Sequence, residues 1–279
     1  MSATSAAITA TVGALLTGTT RLSPHGGGRL ALELWRRPGG PARVRPEERA
    51  VHEAAEPGAV GRVVTYAWGD GRRPVLLVHG WGARSSRWAD VVRALLATGH
   101  SAVAYDAWGH GATPGPVRPI PEHQRVIAEL ERQHGPFAGV IAHSFGAPVA
   151  IHAARQGLRA DRLVTISGVG EFGYLVDTFC DRLGAGPTVN AALRRAIARR
   201  YFAGADDIWD RFSAQPLPGW DALVVHDAGD RVVDRRQADV LTEALGARLV
   251  ETSGLGHGRI LRDPDVIDRV VGFLDRVPA

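Results

Sequence analysis

A doubly wound, mostly parallel α/β sheet with a helical insertion is the fold that this 279-residue sequence predicts. Three observations carry it. From Val63 onward, short apolar runs alternate with helical patterns, the rhythm of βα units. Runs such as Val75-Leu76-Leu77-Val78 are apolar at every position, as a strand covered on both faces should be. The rhythm stops after Ser167 and resumes at Leu223, leaving residues 169–219 helical and aromatic.

Taken in order, residues 1–60 read as an irregular lead-in broken by Ser23-Pro24-His25-Gly26-Gly27-Gly28 and Pro38-Gly39-Gly40-Pro41. Ala6–Leu16 is mildly apolar and reads as a frayed or docked helix. It lacks the basic start of a secretory leader, because the first basic residue is Arg21. A short Arg/Glu helix fits between Pro46 and Ala55. Strands are then expected at Val63–Tyr66, Val75–Val78, Ala102–Tyr105, Val140–His143 and Leu163–Ser167. Helices are expected at Ser86–Thr98, Glu122–His134 and Phe145–Gln156, the last with Pro148 tolerated in its first turn. Within the insertion, Asn190–Tyr201 is the clearest helix. Strand Leu223–His226, helix Arg235–Leu245, strand Arg248–Glu251 and helix Pro264–Leu274 close the pattern. The expected organisation is a lead-in over 1–60, a sheet core over 61–168 and 220–279, and a helical insertion over 169–219.

Composition excludes several classes of chemistry. All 33 basic residues are Arg, so Schiff-base lysine chemistry and a Walker A phosphate loop are ruled out. Cys180 is the single cysteine, which leaves no internal disulfide and no multi-cysteine metal site. The lone thiol and missing leader suit a reducing, cytoplasmic setting. The net charge of +4 comes from interspersed signs, so a nucleic-acid face is not expected. No run reaches the ~18–20 apolar residues of a membrane span. No HExxH or other close His/carboxylate spacing points to a metal, and no cofactor is implied.

The sharpest motif is Ile141-Ala142-His143-Ser144-Phe145-Gly146, at a predicted strand-to-helix junction. That context is what a nucleophile elbow requires, with small residues two positions to either side of the central serine. Ala142 and Gly146 meet the demand, although glycine is usual at the first. Ser144 would stand above the sheet at a helix N-terminus, where the dipole favours developing negative charge; the bland alternative is an ordinary turn serine. The second motif, His79-Gly80-Trp81-Gly82, follows an early strand. The amides of Trp81 and Phe145 are the natural pair of donors to an oxyanion. His79 reads as support for that loop.

With these segments in hand, the chain resembles the α/β-hydrolases. The matching pieces, in the family's order, are Leu77–Trp81, Tyr105–Gly111, Ala142–Gly146, Val225–Asp230 and Gly254–His257. The resemblance covers roughly residues 60–276. It implies an eight-stranded, mostly parallel sheet, a Ser–acid–His triad and a helical cap at the insertion. It puts the catalytic histidine at His257 and the acid at Asp230. Asp227 is then a turn former, and Asp227 or Glu171 would be the acid in other arrangements. Asp106 falls in a structural turn, and His110, His134 and His143 read as scaffold.

The resulting expectation is a serine hydrolase for a small-molecule ester or thioester, working through an acyl-enzyme. The same triad would also serve an acyl transferase, a cyclase, a chain-releasing thioesterase or a peroxidase-type activity, and a non-catalytic binding protein is a further alternative. Epoxide hydrolases and haloalkane dehalogenases carry Asp where this chain has Ser144. Phe172, Tyr174 and Trp209 are candidate substrate contacts, against the plainer reading that such aromatics pack the insertion. Arg194, Arg195, Arg199 and Arg200 share a helix face, either solvated or meeting an anionic substrate. The sequence is silent on oligomeric state.

Overall fold

The computed structural model describes residues 3–37, 39–40 and 42–275. Pro38 and Pro41 of the second expected break lie outside them.

The alternating segments become eight strands: β1 (Glu56–Val60), β2 (Val63–Trp68), β3 (Pro74–Val78), β4 (Ser101–Tyr105), β5 (Gly139–His143), β6 (Arg162–Ile166), β7 (Asp221–Asp227) and β8 (Arg248–Thr252). They form one sheet in the order β1-β2-β4-β3-β5-β6-β7-β8. β2 runs antiparallel to both its neighbours, and β3 to β8 are parallel. Burial explains the uninterrupted apolar runs, since β3, β4 and β5 are buried at every position.

The helices between them are α4 (Ala89–Ala97), α5 (Ile120–His134), α6 (Gly146–Arg155), α10 (Arg236–Leu245), α11 (Gly256–Arg259) and α12 (Pro264–Leu274). On one face Val75, Leu77, Ile141 and Val225 pack with Trp88, Val92 and Leu95 and with Val266, Val270 and Phe273 of α12. α6 packs against β3, β5 and β6. The helix expected from Ser86 starts instead with a tight turn, Ser85–Trp88, before α4.

The irregular lead-in is corrected by the structure. Residues 3–35 hold α1 (Ala3–Leu22), which encloses the helix expected over Ala6–Leu16, and α2 (Pro24–Trp35), which was not expected; the short α3 (Arg49–Glu53) falls where a helix is expected between Pro46 and Ala55. Ser23, read as part of a break, caps α2: its hydroxyl accepts the Gly26 amide at 3.1 Å, with Pro24 in the first turn. The glycine triplet lies inside α2. The sheet also begins earlier than residue 61, because β1 pairs with β2 through register Val60↔Val63. Its residues are mostly exposed, which removed the apolar signal.

The chain divides into two units. The helical unit takes the chain up to Arg37 together with Glu171–Ser213, which holds α7 (Phe172–Leu183), α8 (Pro187–Tyr201) and α9 (Ile208–Arg211). The sheet unit takes the rest, and the Ala214 amide donates to the Gly170 carbonyl at 2.6 Å where the insertion leaves and rejoins it. Within the helical unit α2 packs along α8, and a side chain at Gly28 would sit 2.6 Å from the Ala192 carbonyl oxygen. No described helix is long and apolar enough to cross a membrane.

Candidate active site

The parallel strands of the sheet unit end in loops on one edge, where open α/β sheets carry their sites. β5 ends at His143, and Ser144 follows with φ 55°, a left-handed conformation that few non-glycine residues adopt. Three backbone bonds hold that strain. The Ser144 amide donates to Ile166 O at 3.1 Å, and Ser144 O accepts from Ala147 at 3.1 Å and Val169 at 3.3 Å. The turn needs glycines around it: a Cβ on Gly146 would lie 2.3 Å from Val78 O, and one on Gly80 would lie 2.8 Å from the Ser144 Cβ. α6 begins at Gly146, so Ser144 stands at its N-terminal end.

The Gly80 contact places the His79–Gly82 loop beside the serine. Trp81 and Phe145, the two expected amide donors, are neighbours: their rings meet edge to face at 5.7 Å. His79 is fixed beneath them. Its Nδ1–H donates to Gly80 O at 2.8 Å, and Nε2 accepts the Ala107 amide at 3.0 Å, a tautomer assigned from these partners. Burial pushes its pKa down. Asp106 serves the same loops. It accepts the amides of Ser85 and Ala112, each at 2.7 Å, and lies 3.4 Å from Arg84. Although burial pushes its carboxyl up, His79, those amides and Arg84 hold it below the usual range.

The loops after β7 and β8 bring the acid and the base together. The His257 Nδ1 lies 2.8 Å from Asp230 Oδ2. The other oxygen, Oδ1, accepts the Val232 and Val233 amides at 2.7 and 3.1 Å. Burial alone would raise the Asp230 pKa; the His257 hydrogen bond and charge and the two amides overturn that and hold it at about 2. Asp230 is therefore an ionised carboxylate facing the imidazole.

Asp227 has a different task. Its Oδ2 accepts Thr252 Oγ1–H at 3.0 Å and the Leu255 amide at 2.9 Å, and its Oδ1 accepts Gly229 at 3.0 Å. It clamps the loop that carries His257. Glu171, the remaining acid candidate, precedes α7 in the helical unit.

Sequence reasoning missed two supports. His226 Nε2–H donates to Val233 O at 3.1 Å and closes the loop that presents Asp230. His143 Nε2–H donates to His257 O at 3.0 Å, with the two rings 4.5 Å apart. These residues are 114 positions apart, and no spacing rule links them.

Phe172, Tyr174 and Trp209 lie in the helical unit. Phe172 is 4% exposed, stacks on Trp209 at 5.5 Å and meets Phe212 at 5.6 Å. The arginine face of α8 is split. Arg195, Arg199 and Arg200 are exposed, whereas Arg194 binds Asp177 at 2.7 Å and lies 4.5 Å over the Trp209 ring. Among the described residues no group of three or more His, Cys, Asp or Glu could hold a metal ion.

Known proteins share this fold. Among solved structures, a serine hydrolase from Cycloclasticus zankles superposes with TM-score 0.57 at 17% identity, covering 79% of this chain and 97% of its own. An esterase from Rhodococcus sp. ECU1013 gives 0.57 at 16%, covering 81% and 100%. The 2-hydroxy-6-oxo-6-phenylhexa-2,4-dienoate hydrolase of Rhodococcus sp. strain RHA1 gives 0.58 at 20%, covering 80% and 98%. At these identities the likeness shows the fold. A curated relative, non-heme chloroperoxidase CPO-A1 of Kitasatospora aureofaciens, is 42% identical over 48 residues, a match spanning 17% of either chain. The model of the alpha/beta hydrolase family matches residues 75–270. That stretch runs from the start of β3 into α12 and encloses Trp81, Ser144, Asp230 and His257, so the chain belongs to the alpha/beta hydrolase family.

Proposed function

We propose that the protein is a serine hydrolase that cleaves a carboxylic ester or thioester of a small molecule. The observation that carries the reading is the Asp230–His257 pair at 2.8 Å on the sheet edge where Ser144 is held at φ 55°. His257 takes the Ser144 proton through Nε2 as the hydroxyl attacks the acyl carbon. Asp230 holds the tautomer with Nδ1–H and stabilises the imidazolium that forms. The amides of Trp81 and Phe145 receive the oxyanion, helped by the N-terminal end of α6. Protonation by His257 releases the alcohol or thiol. Water, deprotonated by the same ring, then hydrolyses the acyl-enzyme and restores Ser144.

A fluorophosphonate probe tests this directly. Wild-type protein is expected to be labelled, and Ser144→Ala and His257→Ala to lose the label. A folded wild type that resists the probe would sink the proposal. A peroxidase-type activity on the same serine is the second reading, favoured by the 48-residue match to a chloroperoxidase. Halogenation that depends on hydrogen peroxide and is lost in Ser144→Ala would establish it.

A further inference from the structure

His257 is the second residue of the one-turn helix α11, which follows a glycine-containing turn. Gly256 and Gly258 flank it, Gly254 and Gly256 adopt φ 80° and 65°, and every residue from 251 to 259 is exposed or half-buried. A single exposed turn of helix is marginal by itself and depends on side chains to hold it. A base must nevertheless stay within hydrogen-bond reach of its nucleophile. Asp227 fixes the Leu255 amide, Arg259 the carbonyls of Gly254 and Leu255, and Asp230 the ring, but none of these bonds reaches the His257 carbonyl.

The geometry points to His143 as a positioning residue for His257: its Nε2–H ties down the His257 carbonyl from the position next to the nucleophile. The inference rests on Ser144 and His257 acting as nucleophile and base. His143 suits the task because three neighbours fix its ring. Trp88 meets it edge to face at 6.4 Å. The His257 ring lies at 4.5 Å. Gly80 approaches so closely that a Cβ there would lie 3.2 Å from His143 Nδ1. As the residue before Ser144, it shares the strained turn, so one side chain couples the serine's backbone to that of the base.

His143 must also stay uncharged, because a cation at 4.5 Å would oppose the imidazolium that His257 becomes. Burial, with His257 and His79 adding to it, pushes the His143 pKa down to about 3 against the opposing Asp230 charge and the His257 carbonyl. A merely space-filling ring would need neither the aimed N–H nor neutrality.

The test compares fluorophosphonate inactivation rates from about pH 5 to pH 8 for wild type, His143→Met and His143→Gln. The two substitutions have similar length, and only Gln keeps an N–H donor. Met is expected to slow labelling roughly 10- to 100-fold, the scale of a displaced catalytic group, and Gln to recover to within about threefold of wild type. Labelling of His143→Met at the wild-type rate, or of His143→Gln no faster than Met, would overturn the assignment. Should His143→Met fail to fold, ¹⁵N NMR of the wild-type ring decides. A bonded Nε2–H is expected, and a bare Nε2 overturns the proposal. A wild type that never labels refutes the hydrolase reading, and this is seen before any His143 substitution is made.

Discussion

The two units use glycine in opposite ways. In the sheet unit, Gly80 and Gly146 stand where loop backbone passes against the Ser144 turn, and a side chain on either would strike that machinery. In the helical unit, Gly13 and Gly28 lie inside ordinary helices with no positive φ. A side chain at Gly13 would lie 1.7 Å from the Leu183 carbonyl oxygen, and one at Gly28 2.6 Å from that of Ala192. In the first unit glycine makes room for a strained turn; in the second it lets helix backbones touch. The same residue type therefore serves a turn in one unit and helix packing in the other, and only the surrounding residues tell which.

If the chemistry belongs to the sheet unit, removing one hydroxyl should silence it without unfolding anything. Ser144→Ala is expected to lower turnover of any accepted ester by up to ~10⁶-fold, as loss of a triad serine does elsewhere. Turnover should fall while the thermal midpoint stays near wild type. Equal residual activity would move the nucleophile elsewhere. The next largest effect separates the two aspartates. Asp230→Asn keeps the shape but leaves the wrong imidazole tautomer, and should lower turnover by about 10⁴-fold. Asp227→Asn disturbs only the loop clamp and should reduce turnover far less. Similar losses in both variants would mean that the division of labour between Asp227 and Asp230 is wrong.

The third effect is on stability. Burial pushes His110 down to about 4, and His123 and His143 down to about 3. All three belong to the sheet unit and stay neutral when folded. Their unfolded values lie near 6.5. Below that pH the unfolded chain takes up protons that the native state refuses, so stability rises with pH and falls on acidification from about 6.5 towards 4. Each histidine contributes a slope of up to about 1.4 kcal/mol per pH unit in that window. Asp230, at about 2, works in a lower window: its contribution is intact above about pH 4 and is lost as pH falls through about 2. Urea unfolding at pH 7, 6 and 5 measures the histidine term, and a flat profile would contradict their burial as neutral rings.

The contrast also explains what the sequence could show. Strands β3 to β6 were legible because continuous apolar runs suit strands buried on both faces, and the turn at Ser144 because a small-x-Ser-x-Gly junction suits a tight strand-to-helix turn. The resemblance implied that Asp230 and His257 pair, and their side chains lie 2.8 Å apart; no spacing rule alone joins them. β1 was illegible because its residues, exposed at the sheet edge, carry no apolar period. Part of α1 was legible as the helix expected over Ala6–Leu16, and α2 was illegible for a different reason. Gly26-Gly27-Gly28 argues locally against a helix, and the compensation comes from α8, some 160 residues away. Local propensity cannot report a helix whose reason lies in a partner backbone.

That last point can be tested with the smallest effect of the set, inside a single helix. Gly13 and Gly18 both lie in α1, and by propensity alone Ala should stabilise either position by about 1 kcal/mol. A Cβ at Gly18 meets nothing within 4 Å, so Gly18→Ala should show that gain. A Cβ at Gly13 meets the backbone of Leu183, which cannot swing aside as a side chain would. Gly13→Ala should therefore reverse sign and destabilise by roughly 1–3 kcal/mol, the usual cost of overpacking. Paired denaturant melts read the difference. Gains at both sites would show that α1 does not lean on α7 at Gly13. Opposite signs would show that this glycine is held by contact, and that a turn-former in the sequence is a packing residue in the fold.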